Sequence, residues 1–212
     1  MSASFNRPPE RRPVYRLALA ALFVALSVIL TRLLSVIVIG GAFRPELGHV
    51  PIQLAGLLLG PGYGGLVGLA ADLVGAIALP QGAFHPGFTL SSVLVGVLPG
   101  LAVTVLRSGI ARRGQAAERG KDRGLILVLL LATVAGDWAV AQFLSTFWLS
   151  GLLGTPWSTL FALRLVPVAV RSLLNGAVLA LVLRVFEQLP LPGVALSCRL
   201  GESRRQARRS GL

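Results

Sequence analysis

The stretch that decides the fold is residues 51–100, PIQLAGLLLGPGYGGLVGLAADLVGAIALPQGAFHPGFTLSSVLVGVLPG, in which Asp72 is the only charged residue. Three apolar segments run through or overlap it: residues 50–59, 66–79 and 88–106. Two turns rich in glycine and proline separate them, at residues 60–65 and 80–87. Apolar segments with so little charge are typical of helices that cross a membrane. The stretch therefore predicts the middle of an all-α, multi-pass membrane protein.

The rest of the chain extends this pattern. Of the 212 residues, 54% are hydrophobic and 13% are charged, about half of the roughly 25% charged residues in soluble domains. Three further apolar segments complete a predicted bundle of six transmembrane helices: residues 17–39, 125–149 and 157–186. The first could instead be a signal peptide, but it continues past Arg32, beyond the roughly 7–15 residues of a signal h-region. Pro167 lies inside the last segment and predicts a kink there.

The net charge of +12 is unevenly distributed. Apart from Arg32, Arg44, Arg164 and Arg171, the basic residues fall in three blocks, at residues 7–16, 107–123 and 184–212. Basic blocks mark the cytoplasmic side of a membrane protein, and six crossings place all three blocks on that side. We therefore expect a cell-membrane protein in a lipid bilayer, without a nucleic-acid partner. Its predicted parts are a cytoplasmic N-terminus (1–16), a membrane domain (17–187) and a cytoplasmic tail (188–212).

Five ionisable residues lie inside the predicted spans, and each costs about 2.5–3.5 kcal/mol at a helix centre. They are Arg32, Asp72, Asp137, Arg164 and Arg171. Mutual salt bridges are one explanation, but three arginines against two aspartates leave an excess of positive charge, which favours an anionic ligand. Helical spacing places Arg164, Arg171 and Asn175 on one face of the last span. The same spacing places Asp137, Ala141, Ser145 and Trp148 on one face of the fifth.

No catalytic motif accompanies these charges. His49 and His85 are predicted to lie in separate loops, Cys198 is the only cysteine, and no phosphate-binding loop or metal-ligand motif occurs. The sequence therefore predicts a protein that is not an enzyme and holds no metal or cofactor of its own. Paired catalysis by Asp72 and Asp137 is the one enzymatic alternative, and neither aspartate lies in a recognisable catalytic motif.

Several short motifs resemble one family of transport proteins. They are TRLLS (31–35), LAGLLLGP (54–61), GLAADLVGA (68–76), PGFTLS (86–91), STFWLSGLLGTPW (145–157) and RLVPVAV (164–170). Together they resemble the S components, the substrate-binding subunits, of energy-coupling factor (ECF) vitamin transporters, and within that group the folate family. The resemblance covers about residues 15–187, and PGFTLS is its most specific part.

The resemblance implies a six-helix bundle that captures a vitamin near the outer face of the membrane. It also implies three partner subunits: a membrane-embedded coupling subunit and two ATPases, which use the ATP. The first loop, which carries Arg44, departs somewhat from the family pattern. The expected docking surface on the coupling subunit is the small-residue stripe formed by Ala18, Ala21 and Ala25.

Folate fits the charge pattern, because its glutamate tail carries two carboxylates and its pterin ring carries N–H donors. We expect Arg32, Arg44 and Arg164 to bind the carboxylates, and Asp137 or Asp72 to bind the ring. The full set of expected substrate contacts is Arg32, Arg44, Asp72, His85, Phe88, Thr89, Asp137, Trp148, Arg164 and Arg171. Alternatives are an S component for a queuosine precursor, riboflavin or pantothenate, or a structural subunit without a ligand.

Overall fold

The computed structural model describes residues 13–32, 47–78, 80, 84–112 and 119–188. These residues form seven α-helices and one π-helical turn. In chain order they are α1 (Pro13–Arg32), α2 (His49–Leu59), α3 (Pro61–Ala78), α4 (Pro86–Arg112), α5 (Arg119–Ala139), the π turn (Val140–Leu144), α6 (Ser145–Leu153) and α7 (Trp157–Gln188).

Five helical segments are long and apolar enough to cross a membrane: Val14–Arg32, Pro61–Ala78, Pro86–Leu106, Leu127–Leu153 and Trp157–Val185. The fourth of these combines α5, the π turn and α6 into one span. The shorter apolar helix α2 is the sixth. This architecture confirms the predicted all-α bundle. Pro167 lies inside the last helix, α7, and the kink there stays a prediction.

The predicted turns are wider than those observed. α3 begins at Pro61, immediately after Gly60, so the turn predicted at 60–65 is a single residue. Gly60 has a φ of 98° and its N–H bonds to the Gly56 carbonyl, while proline suits the first position of a helix. The turn predicted at 150–156 is likewise shorter, because α6 continues to Leu153 and ends at Gly154 with a φ of 63°. Both glycines supply the left-handed conformation that a short reversal needs.

The polar segment predicted at 107–124 is also partly helical. α4 continues to Arg112 and α5 begins at Arg119, because helix propensity does not end where apolar composition does. Residues 33–39 of the first predicted span lie outside the described residues.

The short helix α2 lies in the core of the bundle. Every residue from Val50 to Leu57 is buried, so protein rather than lipid surrounds this helix. A helix of eleven residues is therefore long enough here, because it need not span the lipid by itself.

Glycines allow α2, α3 and α4 to approach closely. A Cβ atom added at Gly56 or Gly64 would collide with the Gly96 carbonyl oxygen, and one added at Gly68 would collide with that of Ser92. These glycines therefore serve internal helix packing of the kind that small residues permit in membranes.

The alanine stripe of α1 faces away from the bundle. Ala18, Ala21 and Ala25 are exposed, whereas Phe23 and Ser27 on the opposite side are buried. Large apolar side chains flank the stripe, among them Leu22 at 61% exposure. In a membrane protein such a surface contacts lipid or another membrane subunit.

Candidate functional site

A buried aspartate connects three helices near the centre of the bundle. Asp137 of α5 is 2% exposed. Its Oδ1 is 2.7 Å from His49 Nδ1 of α2, and its Oδ2 accepts a hydrogen bond of 2.6 Å from the Ser172 hydroxyl of α7. Arg171 Nη2 lies 3.6 Å from the same Oδ2. We call these four residues the Asp137 network.

The network contains one mutual salt bridge of the kind considered from the sequence, that of Asp137 with Arg171. It also corrects the placement of His49, which was predicted to lie in an external loop and is instead the first residue of α2. The difference arises because α2 begins at His49, four residues after Pro45. This start lies inside the polar segment that was predicted to be a loop. Both oxygens of Asp137 are engaged by protein groups.

The π turn changes which residues of the fifth span face the core. Ala141 and Thr146 are buried in line with Asp137, whereas Ser145 is half-buried. The Thr146 hydroxyl donates to the Ala141 carbonyl five residues earlier, at 3.4 Å. The predicted face assumed uninterrupted α-helical spacing, and a π turn adds one residue and rotates everything beyond it.

A second polar pair joins α3 to α4. The Thr89 hydroxyl donates a hydrogen bond of 2.6 Å to Asp72 Oδ2. One turn along α3, Gly75 makes room for the side chain of Arg32, because an added Cβ would lie 2.9 Å from Arg32 Nε. The structure thus brings Asp72, Thr89 and Arg32, three of the predicted substrate contacts, to one end of α1, α3 and α4.

Three aromatic residues form a third group beside this pair. The ring of His85 lies 6.0 Å from Phe88 in an edge-to-face arrangement and 5.5 Å from Trp148. His85 Nδ1 accepts a hydrogen bond of 3.1 Å from the Gly87 N–H, and a Cβ at Gly87 would collide with the Trp148 indole. Trp148 Nε1 is buried and has no hydrogen-bond partner among the described residues. Such a group offers aromatic faces and one N–H donor to a ligand.

The last helix carries the remaining expected contacts. Arg164 is half-buried, two turns before Arg171 and on the same face. Arg44 lies outside the described residues. Among the residues that the structure describes, no three His, Cys, Asp or Glu side chains group closely enough to hold a metal ion.

Two buried amides were not identified from the sequence, and a third was given no role. Gln53, Gln142 and Asn175 are each no more than 1% exposed. The sequence feature that could have identified them is an uncharged polar residue inside an apolar span. This feature is a weaker indication of a functional residue than an intramembrane charge is. Gln142 Nε2 donates a hydrogen bond of 2.7 Å to the Phe161 carbonyl and ties the π turn to α7.

Comparisons with known proteins agree with this architecture. Residues 15–186 match the family described as ECF transporter, substrate-specific component. The chain is 30% identical over 159 residues to the folate transporter FolT of Clostridium novyi (strain NT), covering 75% of this chain and 82% of that protein.

The fold also resembles the crystal structure of the S-component for biotin from an ECF-type ABC transporter. The TM-score is 0.53 and the sequence identity 22%, over 81% of this chain and 92% of that one. The family match over residues 15–186 and the identity to FolT together show the family: the chain belongs to the substrate-specific components of ECF transporters.

Proposed function

We propose that this protein is the folate-binding subunit of an ECF importer. The observation that carries the proposal is the group of polar and aromatic side chains that the fold gathers inside the bundle. Arg32 packs against Gly75, Thr89 donates to Asp72, and the ring of His85 lies beside Trp148. Arginines inside a membrane bundle are typical of a substrate site, and folate carries two carboxylates that such side chains bind.

The resemblance to a folate transporter supports the choice of ligand. In our proposal the glutamate tail of folate binds Arg32 and Arg164, with Arg44 as a third candidate. The aromatic group of His85, Phe88 and Trp148 supplies faces on which the ligand's rings stack.

Asp72 Oδ2 is engaged by Thr89, and its other oxygen is a candidate acceptor for the ligand. Asp137, whose two oxygens are both engaged, acts through the side chains that it positions, Arg171 above all.

A titration of folate into detergent-purified protein tests this assignment. We expect Arg164→Ala to weaken folate binding at least tenfold, because a hydrogen bond to a charged group contributes about 1.5–3 kcal/mol and 1.4 kcal/mol is a factor of ten. The matched control is Arg184→Ala, an exposed arginine near the other end of α7, which should leave the affinity unchanged.

Two outcomes contradict the proposal, in different ways. If the wild-type protein binds no folate but is stabilised by riboflavin, pantothenate or biotin in a thermal-shift screen, the folate assignment is wrong. If it binds folate and Arg164→Ala does not alter the affinity, the ligand is right and the role of Arg164 is wrong.

We further propose that the protein assembles with a membrane-embedded coupling subunit and two ATPases that hydrolyse ATP, and that it catalyses no reaction itself. Its basic ends would then lie in the cytoplasm, beside the ATPases. The exposed stripe of Ala18, Ala21 and Ala25 supports this proposal, because small side chains permit close approach of a second helix.

Enlarging this stripe should disrupt assembly without affecting the ligand. We expect Ala21→Trp to reduce co-purification with the coupling subunit and ATPases by at least tenfold, while folate affinity stays within twofold of wild type. The control is Leu181→Trp, at a residue of α7 that is 63% exposed. Normal assembly of Ala21→Trp, or equal loss in both variants, would contradict docking through the stripe.

A further inference from the structure

Three amides of the core have buried atoms without a hydrogen-bond partner among the described residues. They are both Oδ1 and Nδ2 of Asn175, Gln53 Oε1 and Gln142 Oε1. Gln142 is held on the π turn by its bond to the Phe161 carbonyl, whereas Asn175 has no such bond within the described part of the chain and is 1% exposed, as is Gln53. Leaving a buried polar group without a partner costs about 1–3 kcal/mol, and lipid cannot supply one. The three unused atoms of Asn175 and Gln53 therefore favour a polar occupant.

The Asp137 network determines where these amides lie. Asp137 binds His49 of α2 and Ser172 of α7, so these two positions are at one level of the bundle. Gln53 follows His49 by one helical turn, and Asn175 follows Ser172 by about one turn. Since α2 and α7 are the second and sixth crossings, they run in the same direction. Gln53 and Asn175 are therefore both one turn further from the end of the bundle that holds Arg164.

The unused atoms comprise one donor, Asn175 Nδ2, and two acceptors, Asn175 Oδ1 and Gln53 Oε1. A 2-amino-4-oxo pyrimidine ring, such as the one in pterin, presents the complementary edge: a carbonyl acceptor, a ring N–H donor and an amino donor. Riboflavin presents acceptor, donor, acceptor along the equivalent edge, and its second carbonyl would face the Gln53 oxygen. The set as oriented therefore matches the 2-amino-4-oxo ring, whereas a flavin would require the Gln53 amide to turn over and present its N–H.

We propose that Asn175 and Gln53 recognise the 2-amino-4-oxo edge of the ligand's ring and thereby determine specificity. This inference rests on the proposed function. Asn175 donates to the ring carbonyl and accepts from the ring N–H, and Gln53 accepts from the amino group. Arg164 and Asn175 lie eleven residues apart on one face of α7, about 16 Å at 1.5 Å per residue. That separation is comparable to the distance between the pterin and the carboxylates of extended folate.

Calorimetric titrations with three ligands test the proposal: folate, N-(4-aminobenzoyl)-L-glutamate, which lacks the ring, and the 4-amino analogue of folate, in which an amino group replaces the ring carbonyl. We expect Asn175→Leu to weaken folate binding at least tenfold and to change binding of the ringless compound less than twofold. Arg164→Ala should weaken both. Thr133→Val, which removes a similarly buried hydroxyl whose partner is the Leu129 carbonyl of its own helix, is the matched control and should preserve the ratio of the two affinities.

Asn175→Asp provides a readout that loss of stability would not mimic. The carboxylate cannot donate to the ring carbonyl, but it accepts hydrogen bonds from the amino group of the analogue. We expect the ratio of analogue affinity to folate affinity to rise at least tenfold relative to wild type.

The outcomes separate the two proposals. If wild type binds none of these ligands, the proposed function is wrong. If wild type binds folate but Asn175→Leu leaves the affinity unchanged, or Asn175→Asp leaves the ratio unchanged, the amides are satisfied by water or protein and the inference is wrong.

Discussion

Asp137→Ala is expected to lower the free energy of unfolding by about 3–5 kcal/mol, the cost of removing one partner from a buried ion pair. The substitution leaves Arg171 without the carboxylate 3.6 Å from its Nη2 and removes the acceptor of Ser172, which is itself 1% exposed. It also frees His49, and with it the beginning of α2. Denaturant titration of the purified protein in mixed micelles measures the change.

The matched control is Asp72→Ala. Asp72 is half-buried and accepts a hydrogen bond from the Thr89 hydroxyl, so we expect a loss of about 1–2 kcal/mol. Equal losses in the two variants would show that the Asp137 network adds nothing beyond an ordinary hydrogen bond. The double variant Asp137→Ala, Arg171→Met should recover part of the lost free energy of unfolding, because the second substitution removes the arginine charge that the first one leaves without its carboxylate.

Gly96→Val is expected to destabilise the protein by at least about 3 kcal/mol, the upper end of the range for overpacking. An added Cβ would collide with the backbone of Gly64 and lie 3.0 Å from a methyl group of Ile52. Backbone atoms cannot rotate away as a side chain can, so α3 and α4 must separate, and α2 loses its packing with them. The free energy of unfolding and the yield of monodisperse protein report the effect.

Gly151→Val is the control for Gly96→Val. Gly151 is an exposed residue of α6, and a Cβ added there meets nothing within 4 Å. The same change of residue type within a helix should therefore alter stability by less than about 0.5 kcal/mol, as most surface substitutions do. A small effect at both positions would mean that the close approach of α3 and α4 is not required.

The helical architecture could be predicted because membrane insertion depends on local composition. The spans predicted at residues 88–106 and 157–186 nearly coincide with the observed ones, because the hydropathy of a span depends only on residues that are consecutive in the chain. Helix ends were less accurate. α3 starts earlier than its apolar residues do, because Pro61 and Gly60 together permit an immediate reversal.

Prediction of the candidate site was less complete. The intramembrane charges stood out, since each is costly in lipid, and the pairing of Asp137 with Arg171 was among the alternatives considered. The contact between His49 and Asp137 was not predicted, because 88 residues separate the two in the chain. The amides of Gln53 and Gln142 carried too little signal, since uncharged polar residues are common in membrane helices.

The sequence by itself determined that this is a six-helix membrane protein whose predicted spans carry arginines and aspartates, since hydropathy and charge are properties of each residue and need no partner to be recognised. Tertiary structure alone decided which partners those charges find. The π turn at Val140–Leu144 illustrates the difference. Its extra residue moves Thr146 rather than Ser145 to the buried face, and the stability of such a turn depends on contacts with neighbouring helices, such as that of Gln142 with the Phe161 carbonyl.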